Sequence, residues 1–149
     1  MEGSFVLQLN GRGRTRACPA VGTWAPAFSL VGNDRSELTC DSFAGRRVVL
    51  NIFPSLDAGV CATSVRKFNE LAAGLENTTL VCVSQDLPFA QARLCGAEGI
   101  DNIVTASGFR TSFGEDYGVT IAAGGVAACP PRHLSEGDTP TPCRRGVAE

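Results

Sequence analysis

Histidine is nearly absent: His133 is the only one in 149 residues. None of the seven cysteines, Cys18, Cys40, Cys61, Cys82, Cys95, Cys129 and Cys143, stands in a C-x-x-C arrangement with another. A zinc site of Cys/His type needs four such donors at short spacings, so no metal and no cofactor is expected. Long apolar runs are missing as well. Nothing approaches the roughly 20 residues of a membrane span. The start, Met1-Glu2-Gly3-Ser4, is acidic where a secretory signal is basic. Nor is there an excess of positive charge: 13 Lys and Arg face 15 Asp and Glu, a net of −2. The one dense basic group, Arg12 to Arg16, is short and interrupted by Gly13. A nucleic-acid or anionic-membrane partner would need a basic face. The reading is a cytoplasmic protein with neither partner.

What is present is an ordinary globular composition, 44% apolar and 19% charged, of a length that supports one hydrophobic core. The cysteine number is odd, and the chain is neither short nor evidently secreted, which argues against a disulfide framework. Two readings of the cysteines then stay open: buried apolar side chains, or redox-active thiols.

Along the chain, alternation in Phe5 to Leu9 followed by Asn10-Gly11 predicts an N-terminal β-hairpin. Trp24 and Pro26 read as core and turn residues, and Phe28 to Val31 as a short strand. Leu38 to Phe43 reads as a connection ending at Gly45. Val48 to Phe53 is a continuous apolar run of the kind found in a strand covered on both faces. Pro54 ends it. From Cys61 to Leu75 the spacing of Val65, Phe68, Ala72 and Leu75 predicts an amphipathic helix ended near Gly74 and Asn77. Thr78 to Ser84 is a second buried strand. Pro88 opens a helix through Cys95, closed by Gly96 and Gly99. Ile103 to Thr105 and Val119 to Ile121 read as further strands, with a helical turn from Phe113 to Tyr117 between them. Strands alternating with helices predict an α/β fold. From residue 122 onward the pattern breaks: Val126, Leu134 and Val147 are the only large apolar residues, and prolines and glycines gather. Residues 1–121 are therefore expected to form one domain, and residues 122–149 a poorly ordered tail.

The chemistry centres on Cys61. It follows a buried strand and a proline-containing loop and falls in the first turn of the predicted helix. Free N–H groups and the helix dipole there favour thiolate over thiol. Arg66 and Lys67, just over a turn further on, could add positive potential. A thiolate so placed can attack a small electrophile, and an inert buried cysteine is the competing reading.

Two longer segments then become recognisable. Residues 51–69, Asn51-Ile52-Phe53-Pro54-Ser55-Leu56-Asp57-Ala58-Gly59-Val60-Cys61-Ala62-Thr63-Ser64-Val65-Arg66-Lys67-Phe68-Asn69, resemble the active-site segment of bacterial thiol peroxidases, the atypical two-cysteine peroxiredoxins. Residues 84–99, Ser84-Gln85-Asp86-Leu87-Pro88-Phe89-Ala90-Gln91-Ala92-Arg93-Leu94-Cys95-Gly96-Ala97-Glu98-Gly99, resemble the resolving-cysteine segment of the same family. The resemblance runs from the N-terminal hairpin to about Ile121. It implies a thioredoxin-like fold in which Cys61 is the peroxidatic cysteine, oxidised by peroxide to a sulfenic acid. Cys95 would be the resolving cysteine that condenses with it to a disulfide. It further implies reduction by thioredoxin, hydrogen peroxide and organic hydroperoxides as substrates, and a homodimer. Pro54 would shape the loop and shield the thiolate.

Two departures from the family stand out. Its P-x-x-x-T-x-x-C pattern puts a threonine where this chain has Ala58, which removes a hydroxyl that holds the peroxide. The family's arginine-bearing strand, a further strand and its final helix have no match after Ile121. Arg132 stands at about the right distance, but Pro130 and Pro131 forbid a central strand before it. The end reads as divergent or frame-shifted. These departures keep open a catalytically impaired remnant or redox sensor on the same scaffold. A thiol–disulfide oxidoreductase without peroxidase activity is disfavoured by the missing C-x-x-C. Cys82 is expected to be plain packing, Cys18 and Cys40 incidental thiols, and Asp57 and Asp86 loop-capping carboxylates. Cys129 and Cys143 could form adventitious disulfides, and His133 reads as a solvated surface residue.

Overall fold

A computed structural model describes residues 25–119. Within them lies a five-stranded mixed sheet in the order β2-β1-β5-β4-β3. The strands are β1 Ser29–Gly32, β2 Glu37–Thr39, β3 Arg47–Ile52, β4 Thr78–Ser84 and β5 Val104–Ser107. The helices are α1 Gly59–Ala72, α2 Pro88–Glu98 and the single turn α3 Phe113–Asp116, with a 3-10 turn at Cys40–Phe43. β3, β4 and β5 run parallel, joined by α1 and α2, while β1 is antiparallel to β5 and forms a hairpin with β2.

The apolar runs decide this arrangement. Leu80, Val81, Cys82 and Val83 in β4 are all buried, because the strand is central and covered on both faces. Side chains alternate along it. Leu50, Val81, Val83 and Ala106 face one layer with Phe28, Phe43, Phe113 and Tyr117. There Tyr117 stacks on Phe113 at 4.4 Å between ring centres, and its hydroxyl donates to the Pro26 carbonyl at 2.7 Å. Cys82 faces the other layer with Phe53, Leu56, Cys61, Val65 and Ile100. That second layer is the one under α1 and α2.

The predicted boundaries need several corrections. β4 occupies the predicted span, and β3 lies one residue earlier than its prediction. Leu38 to Phe43 is no mere connection, since it holds the last two residues of strand β2 and a 3-10 turn at whose start Ser42 Oγ accepts from the Thr39 N–H. α1 starts at Gly59 and stops at Ala72, so Leu75 falls outside it and is exposed; the buried stripe is Cys61, Ala62 and Val65. Asn77, at φ +48°, turns the chain into β4. Gly96 lies inside α2, and Gly99 alone, at φ +63°, provides the left-handed C-cap. Val119 is described but lies in no strand, and the rest of that predicted strand lies outside the described residues. So do the N-terminal hairpin, Trp24, the tail with Arg132 and His133, and Cys18, Cys129 and Cys143. Among the described residues no helix is long and apolar enough to cross a membrane, and no group of His, Cys, Asp and Glu could hold a metal ion.

Candidate active site

Parallel strands β3, β4 and β5 present their C-terminal ends on one edge of the sheet, where the following loops gather. The loop after β3 runs from Phe53 to Ala58 and is fastened to the loop after β4 by one carboxylate. Asp86 Oδ1 accepts from Ser55 Oγ at 2.7 Å; its Oδ2 accepts from the Leu56 N–H and from Ser84 Oγ, both at 2.7 Å. Gln91 adds a second tie, its Nε2 donating to Ser84 Oγ at 3.0 Å and to the Ala106 carbonyl at 2.9 Å. Asp86 thus acts as the loop clamp its sequence position suggests. Asp57 is exposed, and its N–H bonds Ser55 Oγ at 3.1 Å.

The fastened loop delivers Ala58 as the N-cap of α1. Its carbonyl accepts from the N–H groups of Cys61 at 2.9 Å and Ala62 at 3.0 Å, and no side chain caps the helix. Cys61 is therefore the third residue of α1, in its first turn as predicted, with 9% of its surface exposed. The electrostatics differ from the expectation. Burial pushes the Cys61 thiol above its ordinary value, a hydrogen bond from the Ser55 backbone works in the opposite direction, and the negative charge of Asp86 adds to the rise. Arg66 and Lys67 do not offset this. Arg66 pairs with Glu98, and Lys67 donates to Glu70 at 2.8 Å. Both cations point outward and are neutralised locally.

Beside α1 a polar row crosses the sheet. Asn51, Cys82 and Thr105 are in-register partners on β3, β4 and β5, so their side chains share a face. Asn51 Nδ2 donates to Ser64 Oγ on α1 at 3.3 Å and to Cys82 Sγ at 3.4 Å. Thr105 Oγ1 lies 3.6 Å from Cys95 Sγ on α2. Cys82, fully enclosed, has its thiol pushed up to about 12, chiefly by burial. It is packing, as predicted. Cys61, Cys82 and Cys95 are free thiols around one apolar cluster, with Cys61 and Cys82 buried and Cys95 half-buried at its margin. Cys40 departs from its expected role as an incidental thiol: it is buried beside the aromatic layer and disulfide-bonded.

Pro54 follows Phe53 and is half-buried on the wall of a cavity of about 330 Å³ formed with Val83, Gln85, Phe109, Phe113 and Glu115. Neither Cys61 nor Cys95 lines that cavity. The sequence reading missed both the cavity and the extent of the Asp86 clamp. The S-x-D spacing of Ser84 and Asp86 after a buried strand was the available signal for the clamp.

The sequence pattern that defines the redoxin family matches residues 20–134. The thiol peroxidase of Mycobacterium tuberculosis is 62% identical over 123 residues, 83% of this chain and 74% of that protein. The thiol peroxidase of Corynebacterium glutamicum is 57% identical over 115 residues, 77% of this chain and 70% of that protein. A peroxiredoxin-like protein from Aquifex aeolicus superposes with a TM-score of 0.70 at 40% identity, covering 74% of this chain. This chain spans 65% of the Aquifex structure's length. With a thioredoxin-like α/β sheet beneath it and a free cysteine in the first turn of the helix after β3, the chain belongs to the redoxin family and, within it, to the thiol peroxidases.

Proposed function

We propose that the chain reduces hydrogen peroxide and organic hydroperoxides with Cys61 as peroxidatic and Cys95 as resolving cysteine. The Cys61 thiolate attacks the peroxide O–O bond, which breaks; sulfur keeps one oxygen as sulfenic acid and the other leaves as water or an alcohol. Cys95 then displaces that hydroxyl as water, forming a disulfide. A thioredoxin-type dithiol returns both sulfurs to thiols by exchange. The observation that carries this reading is the position of Cys61 at the head of α1, beside the loop fastened by Asp86. The companion thiol stands on the neighbouring helix, around the same apolar cluster. Residues 1–121 would form the catalytic domain.

A homodimer fits the same reading. Val60, Leu87, Phe89 and Phe109 are large, apolar and exposed, and all follow the C-terminal ends of the parallel strands. Sedimentation of the reduced chain tests the dimer.

Two findings favour a second reading, a catalytically impaired scaffold or redox sensor. Cys61 has its thiol pushed up by burial, and Ala58 offers no hydroxyl at the helix head. Peroxide consumption coupled to thioredoxin and NADPH oxidation separates the two. The peroxidase reading expects turnover that Cys61→Ser abolishes. Absence of turnover in the parent chain, with Cys61 reacting no faster than free cysteine, would establish the impaired reading instead.

A further inference from the structure

The helices that carry Cys61 and Cys95 are joined by an ion pair at the surface. Arg66, five residues beyond Cys61 on α1, donates from Nη2 to Glu98 Oε1 at 2.7 Å and from Nε to Glu98 Oε2. Glu98 is the last residue of α2. Next to this pair, Asn69 Oδ1 accepts from the Asn102 N–H at 2.9 Å, and the Asn69 carbonyl accepts from Asn102 Nδ2 at 3.3 Å.

The rest of α2 is held unevenly. Its first half is anchored by buried Pro88 and by Gln91, whose amide reaches Ser84 and the Ala106 carbonyl. Between Gln91 and Ile100 no residue is buried, and Gly96 weakens the helix there. Leu94 and Cys95 are only half-buried. Few apolar contacts and an exposed backbone mark an element that opens locally.

Cys61 and Cys95 are both free thiols, Cys61 in the first turn of α1 and Cys95 seated against Thr105 on β5. Cys61 is buried in the apolar cluster, whereas the segment around Cys95 has no buried residue between Gln91 and Ile100. The Cys95 half of α2 is therefore the side that can move when the two sulfurs join.

We propose that the Arg66–Glu98 ion pair is a clasp that holds the Cys95 half of α2 closed and sets the rate at which Cys95 resolves oxidised Cys61. This rests on the peroxidatic and resolving roles assigned above. Both residues act through α2 and are positioning residues. In the gated step the Cys95 sulfur bonds the Cys61 sulfur and the S–O bond breaks. The hydroxyl then leaves with a proton as water, so no further oxidant is required. While the clasp is shut, the sulfenic acid persists and can meet a second peroxide, which carries it to sulfinic acid. The clasp thereby partitions Cys61 between turnover and overoxidation. An exposed pair is worth little, so the rate effect is about two- to fivefold, and added salt weakens it.

Rapid-quench mass spectrometry after one equivalent of hydrogen peroxide tests this on the parent, on Glu98→Gln, and on the exchanged pair Arg66→Glu with Glu98→Arg. Glu98→Gln should form the Cys61–Cys95 disulfide about two- to fivefold faster, with Cys61 oxidation itself unchanged and less sulfinic acid at excess peroxide. The parent should close faster as salt rises and Glu98→Gln should not, while the exchanged pair should recover the parent's slow closure. A merely structural role would not produce that recovery. Equal closure rates in all three proteins would overturn the clasp and leave the assignment of Cys95 standing. No Cys61–Cys95 disulfide in any of them would remove the resolving role and the clasp together.

Discussion

Asp86 and Leu56, thirty residues apart in sequence, meet at 2.7 Å, where the Leu56 backbone N–H donates to the Asp86 carboxylate. With Ser55 on its other oxygen, Asp86 holds the loop that aims Cys61, yet its charge opposes the thiolate that chemistry at Cys61 requires. One side chain therefore serves position and works against ionisation.

Asp86→Asn separates these effects, since an amide oxygen can still accept from Leu56 while the charge is gone. The Cys61 thiol should then ionise at lower pH. Iodoacetamide alkylation of Cys61 against pH should show its midpoint moved to the acid side, and a midpoint unmoved or moved to the alkaline side would contradict the electrostatic account.

Ala58 is the second opportunity. A threonine here would cap α1 and place a hydroxyl beside Cys61. Ala58→Thr should stabilise the fold by about 1 kcal/mol in urea unfolding, within the range for N-caps. If Cys61 is peroxidatic, the rate constant for peroxide should rise by on the order of 10²-fold, the scale of one oriented donor. A gain in stability without a gain in rate would mean the hydroxyl does not reach the reacting oxygen.

Cys82 gives an alkaline signature. Its folded value, near 12, lies above its ordinary value of 9.0. The proton held in the folded state contributes stability that is fully present below about pH 9. It is lost as pH rises toward 12, at up to about 1.4 kcal/mol per pH unit. Denaturant midpoints at pH 8 and pH 10 should fall more steeply for the parent than for Cys82→Ala. Parallel slopes would show that Cys82 is not sealed as described.

Tyr117→Phe removes the 2.7 Å bond to the Pro26 carbonyl but keeps the stack on Phe113. A loss of about 1 kcal/mol is expected in urea unfolding. A loss near zero would mean water replaces the hydroxyl.

Legibility in the sequence followed physical cause. The run at Thr78–Ser84 announced a central strand because burial on both faces demands uninterrupted apolar residues. The similar run at Val48–Phe53 became β3, which stands at the edge of the described sheet and is only partly buried. Pro88 announced the start of α2, since a proline is tolerated in the first turn of a helix. Cys61 at a helix head was legible from strand, loop and periodicity together. Glu37–Thr39 was not, because a three-residue edge strand carries too little alternation to register. The pairing of Arg66 with Glu98 was equally hidden: proximity to Cys61 in sequence suggested a cation for the thiolate, while α2 supplied a closer anion. The rise in the Cys61 value follows from packing by Phe53, Leu56 and Val65, which no local motif announces.

The most direct measurement is non-reducing peptide mapping by mass spectrometry after one equivalent of hydrogen peroxide. The account predicts a linked pair of peptides containing Cys61 and Cys95, absent before oxidant and absent in Cys61→Ser. Cys61 recovered as an alkylatable thiol after that treatment would contradict it.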